Sequence, residues 1–99
     1  MLLDQAADAT AILAMSDKQA LAILAEAHRH GVGVPGDLSV VGFDDAPDAA
    51  GCGLTTVAQP TRCKGRIAAR MLFEDGPPRH EILPVKLVVR TSTASPRAP

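Results

Sequence analysis

The stretch from Leu38 to Asp48, LSVVGFDDAPD, limits what this chain can fold into more than any other. Leu38, Val40, Val41 and Phe43 form an apolar run of strand type that leads directly into Asp44 and Asp45. Pro35-Gly36-Asp37 on one side and Asp-Asp-Ala-Pro on the other are turn signals. An apolar run bounded in this way suits a strand buried on both faces, and such strands lie in covered parallel sheets. The two acids then sit at the carboxyl end of the strand. Open α/β sheets bind ligands in the crevice outside those ends, so the chain aims its carboxylates at a binding site.

The residues on either side fit that sheet. Thr10 to Met15 (TAILAM) reads as a strand ending at Ser16-Asp17, either of which can cap a helix by accepting from its first N–H groups. From Asp17 to His30, Ala20, Ile23, Leu24 and Ala27 recur at helical spacing, and Gly31 supplies the left-handed stop. A second row, Leu21, Ala25 and His28, widens the apolar surface, either as a broad core face or as an edge that meets a partner subunit. Residues 10–43 are therefore a strand–helix–strand unit with parallel strands joined right-handedly. APDAAGCG after Asp45 reads as a small flexible connection, and Leu54 to Ala58 as a third strand. Gln59-Pro60 opens a helix over Thr61 to Asp75, whose Arg62, Lys64, Arg66 and Arg70 read as a solvated face. Glu81 to Arg90 is extended, with Pro84 confining its first part to an edge or a break. Residues 91–99 (TSTASPRAP) read as a frayed tail, and residues 1–8 as the remnant of an element cut off.

Composition removes several classes of function. The chain has 99 residues, one domain's length at most, and its two aromatic residues, Phe43 and Phe73, leave the core to Ala, Leu, Val and Ile. Ten basic residues against eleven acidic ones give a net charge of −1, so no overall positive field draws in nucleic acid or an anionic membrane. No apolar run approaches a membrane span, and Met1-Leu2-Leu3-Asp4 lacks the charged start of a signal peptide, which makes the cytoplasm the default compartment. Cys52 and Cys63 are too few for a disulfide framework and have no metal-ligand spacing. His28 and His30 project to nearly opposite sides of a helix and share no metal. No nucleophile elbow, P-loop or dinucleotide-binding glycine pattern is present, and no cofactor is expected.

What remains is polar residues at three strand ends: Ser16-Asp17, Asp44-Asp45 and Gln59. In a parallel sheet these ends share one edge, where a hydroxyl, carboxylates and an amide suit a neutral polyhydroxylated ligand. Each has a plainer role: Ser16 or Asp17 as helix cap, Asp45 as a turn former, Gln59 as a backbone-bonding turn residue. Asp44 is the hardest to assign to structure alone. An Asp–Asp pair by itself is too common to indicate acid–base chemistry.

The succession TAILAMSDKQALAILAEAHRHGVGVPGDLSVVGFDDAPDA, LTTVAQP and PPRHEILPVKLVVRTSTASP closely resembles the C-terminal part of LacI/GalR-family bacterial transcriptional regulators. The resemblance covers nearly the whole chain, with VPGDLSVVGFDD and LTTVAQP as its most specific segments. It implies an α/β fold of three layers with a mostly parallel sheet, the C-terminal lobe of a periplasmic-binding-protein-like (type I) sensor. Residues 1–90 would form part of that effector-binding and dimerisation lobe, with residues 91–99 as a flexible tail. The helix-turn-helix and the first half of the sensor would lie outside this sequence, so DNA would be reached only through them.

By the same resemblance Ser16 and Asp44 match effector-contacting positions; Asp17, Asp45 and Gln59 are further candidates from their place at the strand ends alone. The helix from Asp17 and the loop from Ala46 to Leu54 match the dimer interface, represented by Leu21, Ala25, Ala49, Cys52 and Leu54. A sugar or related polyol sensed by a homodimer, with no catalysis, is the implied function. The alternative is a self-association module that binds no ligand of its own. The sequence departs from the pattern at Ser16, where Asn is also familiar, and at Gly51-Cys52-Gly53, which replaces a proline-rich lead into LTT. The segment MLFEDGPPRH is also shorter than the pattern expects.

Overall fold

The computed structural model describes residues 8–98, and the expectation for residues 1–7 lies outside them. Strand β1 (Ala11–Leu13) pairs in parallel with β2 (Ser39–Val41), in the register Ile12 opposite Val40. Between them runs helix α1 (Asp17–Arg29). Its N-cap is Ser16, whose hydroxyl oxygen accepts from the Gln19 N–H at 3.2 Å, and Gly31 follows its end at φ 71°. Of the expected stripe, Ala20 and Ala27 are fully buried and Ile23 and Leu24 partly so. Small residues here let the helix axis approach the sheet closely. The strand–helix–strand reading holds.

The sheet continues past β2 to strand β3 (Thr56–Ala58). Gly42 N–H donates to the Thr55 carbonyl and Asp44 N–H to the Val57 carbonyl, both at 2.9 Å, with parallel bridges at Val41–Thr55 and Asp44–Ala58. All three strands thus point the same way. Strand β4 (Lys86–Val88) adds on antiparallel to β3, so the chain is an α/β protein with a mostly parallel sheet. Only these three residues of the extended Glu81–Arg90 stretch form a ladder, and Pro84 falls before it. Leu38, Val40, Ala49, Leu54 and Ala20 make up the buried core.

Two connections differ from expectation. The segment read as a flexible loop contains helix α2 (Pro47–Gly51), with Pro47 in its first turn, where a missing N–H is harmless, and Ala49 in the core. The start of the expected tail is fixed. Ser92 is buried; its hydroxyl donates to the Val40 carbonyl at 2.6 Å and accepts from the Thr55 N–H at 2.8 Å, filling the gap between β2 and the residues leading into β3. Arg97 then reaches the Ala9 and Asp37 carbonyls. Polar composition suggested fraying, but here the polar groups satisfy strand backbone that would otherwise be buried unpaired.

Helix α3 (Thr61–Leu72) buries none of its residues. Beyond it, Arg79 bridges Glu74 and Glu81 across the turn, and the hydrogen bond from Arg79 holds the Glu74 carboxyl below the usual carboxylate range.

Candidate functional site

The parallel arrangement brings the carboxyl ends of β1, β2 and β3 to one edge. The Asp17 N–H donates to the Phe43 carbonyl at 3.0 Å, which sets Ser16-Asp17 directly beside Phe43-Asp44. Ser16 is half-buried and its oxygen is used by the helix cap, but its hydroxyl hydrogen remains to donate. Asp44 is exposed. Its Oδ1 accepts from Gln59 Nε2 at 2.7 Å, and Gln59 Oε1 accepts from Lys64 Nζ at 3.2 Å. Ser16, Asp44 and Gln59 therefore share one rim, with Lys64 behind them on the first turns of α3. The rim offers a hydroxyl donor, a carboxylate oxygen free to accept, and an amide held in one orientation by charges of opposite sign at its two ends.

Two further candidates are held by the protein itself, Asp17 through both oxygens and Asp45 through one. Asp17 is 1% exposed, and both of its carboxylate oxygens are taken: Oδ2 by the Ala46 N–H and Oδ1 by the Thr56 hydroxyl, each at 2.6 Å. From the turn after β1 it holds the loop beyond β2 and the first residue of β3. Asp45 is partly buried and its Oδ1 pairs with Arg90 Nη2 at 2.9 Å, while Arg90 Nη1 donates to the Leu54 carbonyl at 2.9 Å. Its role is a long-range ion pair. Asp44 and Asp45 also have positive φ values, 127° and 62°, which turn consecutive side chains to different partners.

The residues expected at a dimer interface divide in the same way. Leu21, Ala25 and Cys52 line one concave face together with Leu24 and His28. Ala49 and Leu54 do not belong to it: both are 0% exposed, packed into the chain's own core. The resemblance placed them in an interface loop, but a helix, α2, forms there and turns Ala49 inward. Among the described residues no group of three or more His, Cys, Asp or Glu side chains could hold a metal ion, and no helix is long and apolar enough to cross a membrane.

Lys64, Thr56 and Arg90 went unnoticed in the sequence. Lys64 was hidden among four basic residues of one helix, although its place five residues after Gln59 marks it as the one facing the rim. Thr56 and Arg90 meet acids 39 and 45 positions away, and no local pattern encodes such pairings.

Known proteins share this fold. The family model for the periplasmic binding protein-like domain matches residues 1–93. The HTH-type transcriptional regulator Rv3575c of Mycobacterium tuberculosis is 42% identical over 92 residues, which cover 90% of this chain and 25% of that protein. Among solved structures, the complex of the transcriptional regulator CelR with cellobiose superposes with a TM-score of 0.84 at 40% identity, over 92% of this chain and 30% of that one. The dimeric Lac repressor with an 11-residue C-terminal deletion gives 0.80 at 33% identity, over 89% and 35%. The chain spans about a quarter of the length of the curated relatives it matches.

Proposed function

We infer, since the chain belongs to the periplasmic binding protein-like domain family as the C-terminal part of the effector-binding domain of a LacI/GalR-type regulator, that it is one jaw of a small-molecule sensor. The observation that carries this reading is the convergence of Ser16, Asp44 and Gln59 on one rim, with a donor hydrogen and an acceptor oxygen left unspent. Adjacent hydroxyls of a sugar or polyol present a matching donor and acceptor pair. That CelR is known with cellobiose supports a carbohydrate. Bound between this jaw and a second lobe, the ligand would favour one relative orientation of the two. In a homodimer that change would alter the spacing of the DNA-binding heads. Its relatives are regulators rather than enzymes, and the rim lacks a nucleophile–base pair, so we read its role as sensing in the cytoplasm without catalysis.

With ligand contacts drawn from one lobe, binding by this chain should be weak. Titrating the isotopically labelled chain with cellobiose should shift the amide resonances of Ser16, Asp44 and Gln59 at millimolar concentrations, and Asp44→Asn should abolish the shifts. Tight binding by calorimetry would contradict the shared-jaw geometry. No response at the rim to cellobiose, ribose or sucrose would sink the carbohydrate reading.

A second reading, self-association through the face of Leu21, Ala25 and Cys52, is favoured by their gathering on one concavity and by the dimeric Lac repressor's similarity. Sedimentation should then show a dimer at micromolar concentration that Ala25→Glu converts to monomer.

A further inference from the structure

Asp44 and Asp45 are consecutive residues with side chains, yet both lie at φ values that L residues rarely adopt, 127° and 62°. Such a conformation persists only where its surroundings fix it from several directions. Here three contacts do so. The Asp44 N–H is held by the Val57 carbonyl at 2.9 Å, the Asp45 carboxylate by Arg90 at 2.9 Å, and the Ala46 N–H by Asp17 at 2.6 Å. The two charged groups that do the holding are themselves anchored. Asp17 accepts from Thr56 on β3, and Arg90 donates to the Leu54 carbonyl while its own N–H is taken by Thr55 Oγ1 at 2.9 Å.

We propose that Asp17 and Arg90 are positioning residues for the ligand rim: they clamp the Asp44–Ala46 backbone in its left-handed course and so fix where the Asp44 carboxylate stands relative to the Ser16 hydroxyl. Neither touches the ligand. Asp17 acts at both ends of that spacing, because it follows Ser16 directly in the chain and grips Ala46 with its side chain. Arg90 acts from β4's side of the sheet, which links the orientation of Asp44 to the segment leaving that strand. With Asp45 turned inward to Arg90, Asp44 faces outward toward Gln59.

The proposal rests on the sensor reading for its functional meaning, but its test needs no ligand, so a failure to bind sugar leaves it standing. In the labelled 99-residue chain, a residue at φ near +60° shows an unusually strong cross-peak between its own amide and α protons. The native chain should show this at Asp45, together with a side-chain amide resonance of Gln59 displaced by its bond to Asp44.

Arg90→Gln and Thr56→Val should each weaken the Asp45 cross-peak at least twofold and move the Gln59 resonance, and Thr56→Ser, which keeps the hydroxyl, should read as native. Leu38→Ala, a core truncation at the far end of β2, should lower the unfolding midpoint yet leave both signals in place. If the signals survive both clamp substitutions, or are lost as fully in Leu38→Ala as in them, Asp17 and Arg90 are ordinary stabilising residues and the proposal is wrong. Should Arg90→Gln fail to fold, the Thr56→Val and Thr56→Ser pair decides.

Discussion

A Cβ built on Gly42 would collide with Asp17 Oδ1 and come within 2.9 Å of a Leu54 methyl. Neither neighbour can yield cheaply, since the oxygen is already bonded to Thr56 and Leu54 lies in the core. Gly42→Ala should therefore destabilise the chain by about 1–3 kcal/mol, the usual range for overpacking a filled interior, as read by urea unfolding. A change under about 0.5 kcal/mol, typical of open surface sites, would show that the brace around Asp17 yields to the added methyl. This glycine separates strand from acids in VVGFDD, and its need becomes visible only when Asp17 is known to fold underneath. The exposure of Asp44 was legible from its position at a strand end. Which of Asp17, Asp44 and Asp45 faces solvent was not, because the deciding partners, Thr56 and Arg90, lie 39 and 45 residues downstream.

At the level of elements, periodicity revealed what it has length to reveal. Helix α1 runs over 13 residues, long enough for its stripe of Ala20, Ile23, Leu24 and Ala27 to stand out, and its Ser and Gly stops were both in the sequence. Helix α2 has five residues, less than two turns, and its Pro47, Asp48, Gly51 and two alanines resemble a loop by composition. The segment after Arg90 misled in the opposite direction, since Ser92 looks like solvent-seeking sequence while serving as a polar plug between strands. Ser92→Ala would leave the Thr55 N–H and the Val40 carbonyl without their side-chain partner, and an unmet buried group costs about 1–3 kcal/mol. Hydrogen exchange at the Thr55 amide should quicken markedly in this variant, more than at the α1 amides. Unchanged protection there would mean the pairing of Val40 N–H with the Ser92 carbonyl suffices by itself.

Taken whole, the molecule is long: its Cα radius of gyration is 17.2 Å and its extents are 56 × 25 × 23 Å. A compact domain of this length has a radius near 13 Å. The core gathers around β2 and α1, whereas α3 buries none of its residues, and Phe73 is 84% and Ile82 95% exposed. Apolar side chains left in water at that density make the α3–β4 end a site of unspecific association. They contribute little to the fold of this chain, because truncating a group that buries no surface forfeits no transfer energy. Replacing both, Phe73→Glu with Ile82→Glu, should thus slow concentration-dependent aggregation in light scattering while moving the unfolding free energy by no more than about 0.5 kcal/mol. The Ala25→Glu variant acts elsewhere, on the concave face of α1, and should remove a discrete dimer without suppressing aggregation. If the double substitution instead unfolds the chain, the α3–β4 end is packed in solution in a way the elongated shape excludes. If Ala25→Glu and the double variant behave alike, the two faces form one continuous surface rather than a dimer face and an uncovered end.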